Sequence, residues 1–208
     1  CTWIKDTIMH HFFSVFFVGL AYLIGSFSSS ITITKLLKLE DPREKGSGNA
    51  GATNVLRYAG RWPAIATLVG DFLKGFVIVS IGKYFMLDEF YLGMICFAAV
   101  CGHIYPIFYN FKGGKGVAVF IGVTAGLAPL TALLFCSAWL IVAGITKYSS
   151  LSAILAMIIS IPIIHINQGS VIQTIIFTVI AGIIIAKHKE NIVRLKKGTE
   201  DKIKAMVD

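Results

Sequence analysis

The stretch that decides the fold is residues 117–186, VAVFIGVTAGLAPLTALLFCSAWLIVAGITKYSSLSAILAMIISIPIIHINQGSVIQTIIFTVIAGIIIA, where Lys147 stands alone among Asp, Glu, Lys and Arg. A spanning helix needs roughly 20 mostly apolar residues, so this run holds several. Three clusters punctuate it: Gly126 with Pro129, Lys147-Tyr148-Ser149-Ser150, and Asn167-Gln168-Gly169. The resulting segments are about 117–127, 129–146, 149–166 and 169–187. The first is too short for a ~30 Å hydrocarbon core at ~1.5 Å per residue, so it tilts across a thinned region or packs inside the bundle.

Working outward, three more apolar segments precede this run, at about 11–33, 62–86 and 90–111, the second interrupted by Asp71 and Lys74. The whole chain of 208 residues is 56% hydrophobic and 14% charged. A soluble domain has about 25% charged residues and could not cover so much apolar surface; disorder is excluded by the same arithmetic. Four cysteines without a CxxC pair give no support to a disulfide scaffold, a zinc ribbon or a thiol redox site. The chain begins at Cys1, which fits a trimmed or partial sequence better than a lipid-modified terminus.

The net charge of +8 has a topological reading. If the polar segment 35–61 is cytoplasmic, seven helices leave 16 Lys and Arg inside and only Lys5 and Lys83 outside. The expected fold is therefore all-α, a polytopic membrane protein of seven helices, one of them short. Its N-terminus lies outside and its C-terminus is cytoplasmic. Residues 1–208 form a single integral membrane domain with cytoplasmic motif segments 35–61, 111–116 and 187–208. Topology accounts for most of the basic charge, which weakens a nucleic-acid reading.

Three cytoplasmic segments carry residues that topology does not require. Gly46-Ser47-Gly48-Asn49-Ala50-Gly51 matches G-x-G-x-x-G, but no strand precedes it and Asp71 belongs to a span, so a dinucleotide fold is rejected. Its glycines can still expose N–H groups to an anion. Ser47, Asn49, Thr53 and Asn54 add hydrogen-bonding groups, and Arg57 adds a planar fork suited to phosphate. In the second segment, Gly113-Gly114-Lys115-Gly116 resembles part of a phosphate loop. It fails the Walker pattern, which needs Gly at Tyr109 and Ser or Thr at Gly116. Lys115 remains a cation on a glycine turn beside a helix start, where an anion is favoured. His103 precedes this turn.

The third segment, His188 to Glu200, puts His188 and Asn191 on one face if the last helix continues. Arg194 is four residues from Glu190 and can pair locally, while Lys189, Lys196 and Lys197 suit contact with anionic lipid. Asp71 and Lys74, three apart within a span, read first as a structural ion pair. A charge there costs about 2.5–3.5 kcal/mol on insertion scales. Glu40, Asp41 and Glu44 read as a solvated charge run, and no metal site is expected.

Together these segments resemble the motifs of the bacterial membrane glycerol-3-phosphate acyltransferases that use acyl phosphate. SGNxGATN corresponds to Ser47–Asn54, GHxxPxFxxFxGGKGVA to Gly102–Ala118, and HxxNIxRLxxGxE to His188–Glu200. Gly70–Gly75 resembles the family's GDxxKG. The resemblance implies transfer of a fatty acyl group from acyl phosphate to the 1-hydroxyl of glycerol-3-phosphate, giving lysophosphatidic acid, with no cofactor and neither CoA nor acyl carrier protein. It implies a bacterial inner-membrane enzyme whose site faces the cytoplasm. Catalytic roles fall on Ser47, Lys115, His188 and Asn191. Substrate contacts fall on these and on Asn49, Thr53, Asn54, Arg57, Gly113, Gly114 and Arg194, with Asp71, Lys74 and His103 in support. Backbone N–H groups of the glycine turns would hold the donor phosphate. The His-x4-Asp pair of the commoner acyltransferases is absent: no Asp stands five residues after any histidine. The competing reading is a transporter of a phosphorylated solute, which would need polar groups reaching both faces.

Overall fold

The computed structural model describes the backbone of residues 2–203 and the side chains of residues 9–203. Cys1, the Lys5 side chain and Lys204 lie outside the described residues. The described residues hold no strand. Their helices are α1 (Thr2–Ser26), α2 (Ser29–Leu36), α3 (Ala52–Ala59), α4 (Arg61–Tyr84), α5 (Glu89–Ile104), α6 (Val117–Leu127), α7 (Pro129–Thr146), α8 (Ser149–Gln168), α9 (Val171–Lys187) and α10 (Lys189–Lys196), with a 3₁₀ turn at Ile107–Tyr109.

All seven apolar segments are helical. Five reach spanning length and apolarity: Met9–Ser26, Arg61–Tyr84, Glu89–Tyr109, Pro129–Thr146 and Ser149–Gln168. α9 joins them if it is counted with α10, to which it is bent by 56°. α6, with 11 residues, stays short as its length requires.

α1 begins at Thr2 rather than at about residue 11, and two later boundaries also differ from the sequence reading. The first segment does not run unbroken to Ile33. Phe27 N–H turns back to the Ile24 carbonyl at 3.2 Å, and Ser28 Oγ then caps α2 by accepting the Ile31 N–H at 3.4 Å. The break frees the Phe27 carbonyl, and Lys74 Nζ donates to it at 2.7 Å. α5 stops at Ile104 rather than 111 because Pro106 cannot continue it. Asn110 and Phe111, at φ 54° and 58°, turn the chain into the glycine loop.

Apolar burial drives little helix association inside a bilayer, so close backbone packing at small residues takes over. At Gly25 an added Cβ would fall on the Ala99 carbonyl oxygen, and at Gly102 on that of Tyr22, so α1 and α5 meet backbone to backbone. α4 and α6 do the same at Gly122, against the Phe72 carbonyl, and at Gly75, 2.7 Å from the Val119 oxygen. Phe120, Phe135 and Phe177 fill the centre, with Phe120 to Phe135 centroids 5.3 Å apart. This bundle holds three loops around one cavity.

Candidate active site

The first loop is built around Asn54. Its Oδ1 accepts the Ser47 N–H at 2.8 Å, and its Nδ2 donates to the carbonyls of Pro42 at 2.8 Å and Lys45 at 2.9 Å. With φ at +59° and the Asn54 amide where a Cβ would go, position 46 accepts only glycine. Asn54 lines the cavity, and its amide also shapes the turn that presents Ser47 and Asn49. One helical turn apart on α3, Thr53 and Arg57 face the same cavity. Thr53 Oγ1 lies 3.3 Å from Ser149 Oγ, and Arg57 Nη1 rests loosely on Asp201 at 3.4 Å.

The glycine loop folds back on His103. Gly114 N–H donates to the His103 carbonyl at 3.2 Å, and the imidazole occupies the space a Gly114 side chain would need. Gly113 and Gly114 therefore lie beneath the cavity rather than on its wall; their lack of side chains lets the loop seat on α5. Lys115, next in sequence, lines the cavity and donates to Asn191 Oδ1.

At the third segment the chain bends instead of continuing straight, although the Ile192 N–H to His188 carbonyl bond, 2.9 Å, bridges the bend. His188 and Asn191 both reach the cavity and both are buried. His188 Nδ1–H donates to the Ile184 carbonyl at 2.8 Å, which leaves the Nε2 lone pair free to face a ligand. Burial pushes this imidazole down to about 4, so it is neutral at physiological pH.

Glu200 organises the segment, and the sequence reading gave it no role beyond closing the motif. It accepts from Ser150 Oγ at 2.7 Å, Asn191 Nδ2 at 2.6 Å and Arg194 Nε at 2.7 Å. Burial raises a carboxyl, but these bonds and the Arg194 charge outweigh it and hold Glu200 below the usual carboxylate range. Arg194 is thereby turned away from the cavity; its pairing with Glu190, 3.9 Å, is the weaker one. Ser149 and Ser150, part of the punctuation between two apolar segments, both line the cavity.

The cavity encloses about 370 Å³. Ser47, Asn49, Thr53, Arg57, Lys115, His188 and Asn191 converge on it, with Asp71 and His103 at its wall. Lys74 lies behind them, paired with Asp71 at 2.9 Å as expected. A second wall is apolar: Leu68, Ile121, Trp139 and Leu140, from within α4, α6 and α7. Phosphate chemistry and an alkyl chain can thus be accommodated in one space.

Lys115 links this geometry to pH. Burial and the nearby Arg194 charge push its ammonium down to about 8, against the opposite pull of Glu200 and Glu190. A bound phosphate dianion favours the charged form. The free protein must therefore take up a proton to bind phosphate above pH 8, and affinity falls as pH rises, by up to about tenfold per unit for one proton. KM for a phosphorylated substrate measured between pH 6.5 and 9.5 is expected to climb above about 8. Lys115→Arg, which keeps its charge, is expected to flatten that limb.

The chain is similar to known proteins in sequence and in structure. A family model described as glycerol-3-phosphate acyltransferase matches residues 15–198. The glycerol-3-phosphate acyltransferase of Coxiella burnetii (strain CbuG_Q212) is 44% identical over 185 residues, covering 89% of this chain and 95% of its own. That of Francisella tularensis subsp. novicida (strain U112) is 48% identical over 184 residues, covering 88% and 89%. The crystal structure of PlsY (YgiH), an integral membrane glycerol 3-phosphate acyltransferase, superposes in its glycerol 3-phosphate form with a TM-score of 0.88 at 39% identity, covering 93% of this chain and 96% of that one. Its lysophosphatidic acid form gives 0.85 at 38% identity, covering 91% and 94%. A match over this much of the chain, in sequence and in structure, places the protein in the family: the chain belongs to the integral membrane glycerol-3-phosphate acyltransferases.

Proposed function

We propose that this chain transfers a fatty acyl group from acyl phosphate to the 1-hydroxyl of glycerol-3-phosphate, giving lysophosphatidic acid and inorganic phosphate. The observation that carries this reading is one cavity joining Arg57 and Lys115 to an apolar wall inside the bundle. A phosphorylated polyol suits the first part and a fatty chain the second. The two forms of the solved neighbour, with glycerol 3-phosphate and with lysophosphatidic acid, are the acceptor and product this reaction requires.

In this reading Arg57, Lys115 and Ser47 hold phosphate, and Asn191 orients Lys115. The acceptor hydroxyl oxygen forms a bond to the acyl carbon while the carbon–oxygen bond to phosphate breaks, and the hydroxyl proton passes to a phosphate oxygen. A mixed anhydride has a good leaving group, so no strong side-chain base is needed. The low basicity of His188 fits this: its Nε2 orients the hydroxyl rather than removing the proton. Holding both substrates in one space supplies much of the rate. We place the N-terminus outside, the C-terminus and the three loops in the cytoplasm, and the seven-helix domain in a bacterial inner membrane, on the sixteen-to-two distribution of basic residues. Neither CoA nor acyl carrier protein enters the scheme.

Purified protein given acyl phosphate and glycerol-3-phosphate alone should form lysophosphatidic acid; folded protein that forms none overturns the assignment. In the same assay Arg57→Ala is expected to raise KM for glycerol-3-phosphate about 10–100-fold, the loss of one hydrogen-bonded charge pair. An unchanged KM would remove Arg57 from the phosphate site.

A further inference from the structure

A lysine ammonium carries three donors, and at Lys74 three groups lie within reach of it. Nζ lies 2.7 Å from the Phe27 carbonyl, 2.9 Å from Asp71 Oδ1 and 3.0 Å from His103 Nδ1. An ammonium has no lone pair, so the third contact requires Nδ1 to accept. Asp71 Oδ1, 3.6 Å from the same nitrogen, is the more distant partner. The ring is therefore neutral, with its proton on Nε2.

That nitrogen has no hydrogen-bond partner among the described residues, although His103 is only 6% exposed and lines the cavity. It sits against Gly114, where it fills the place of a side chain, one residue from Lys115. The backbone offers no substitute at this point, because the Gly114 N–H is spent on the His103 carbonyl. A glycine turn that would otherwise present its own N–H group to an anion presents a fixed imidazole N–H instead.

We propose that His103 donates its Nε2–H to a phosphoryl oxygen of the acyl donor, and that Lys74 and Asp71 are positioning residues that fix the ring in that tautomer. The proposal rests on the acyl-transfer reading above. It assigns the buried Asp71–Lys74 pair a task beyond neutralising itself: the pair keeps a hydrogen-bond donor aimed at the departing phosphate, where charge develops as the acyl bond breaks.

Asparagine reproduces the position of Nδ1 and glutamine that of Nε2, so the two variants separate the roles of the two nitrogens. If the wild-type protein makes no lysophosphatidic acid from acyl phosphate, the acyl-transfer reading itself fails. If it does, His103→Gln is expected to stay within a few-fold of wild type. His103→Asn should fall ~10–100-fold, with KM for acyl phosphate rising more than KM for glycerol-3-phosphate. Equal losses, or a better His103→Asn, would mean that only the Lys74 contact matters and would overturn the proposal. Should His103→Asn fail to accumulate, nitrogen NMR of histidine-labelled wild type decides. The His103 resonances are those missing from His103→Gln; a proton on Nε2 that shifts on adding inorganic phosphate supports the proposal, and a proton on Nδ1 or an unmoved signal overturns it.

Discussion

A Lys115→Met variant is expected to lose ~10³-fold in kcat/KM, with membrane insertion and thermal stability little changed. The size follows from where the charge sits. Lys115 is half-buried on a glycine turn, hydrogen-bonded to Asn191 and flanked by the Arg194–Glu200 pair. A cation removed from such a partly dry site leaves a phosphate dianion with Arg57 as its remaining cavity-lining guanidinium or ammonium. Single donors aimed at developing charge are worth about 10²–10³-fold in turnover. Methionine matches the lysine stem in length and apolar character, so the turn and the walls keep their packing. Lysophosphatidic acid formation by the purified variant, beside a melting curve, checks this. Near-normal turnover would remove Lys115 from the site.

Much of the architecture is legible in the chain because a bilayer imposes lengths. The seven apolar segments and their Gly, Pro and Ser punctuation predict the helices of the bundle. The ends slip where a polar or proline signal lies inside an apolar stretch: Pro106 stops α5 early, and Ser28 caps a new helix inside the first segment. What the sequence does not show is the partner of the freed Phe27 carbonyl, Lys74, far along the chain. The site divides in the same way. Arg57, Lys115, His188 and Asn191 stand out because polar groups at a membrane surface call for an account. Glu200, Ser149 and Ser150 do not, because a carboxylate near a basic tail and serines at a helix start each have an ordinary reading. Only the fold shows Ser150, Asn191 and Arg194 meeting on one carboxylate. The apolar wall is the least legible part, since Leu68 and Trp139 look in sequence like any lipid-facing residue.

The glycine loop yields the second large effect. Gly113→Ala is expected to lower turnover by more than ~10²-fold, although position 113 does not line the cavity. A Cβ there would fall on the His103 carbonyl oxygen and lie 2.6 Å from Pro106 Cδ. Neither neighbour is a flexible side-chain end: one is the last turn of α5, the other a proline ring. The loop itself must therefore move away from α5. Its tether to that helix, the 3.2 Å Gly114 N–H bond to the His103 carbonyl, is then lost. Lys115 shifts with the loop, and a displacement of about 1 Å at a reacting centre costs on the order of 10²-fold. Gly144→Ala is the matched control: it has open space around its Cβ and lies in the middle of a helix, where alanine is the better helix former. If Gly113→Ala and Gly144→Ala turn over alike, the loop is not held by this contact. If Gly113→Ala alone loses activity while both variants insert and melt like wild type, the loss is one of position. The glycine at 113 is then required by the space beside His103, and the phosphate site depends on it only through Lys115.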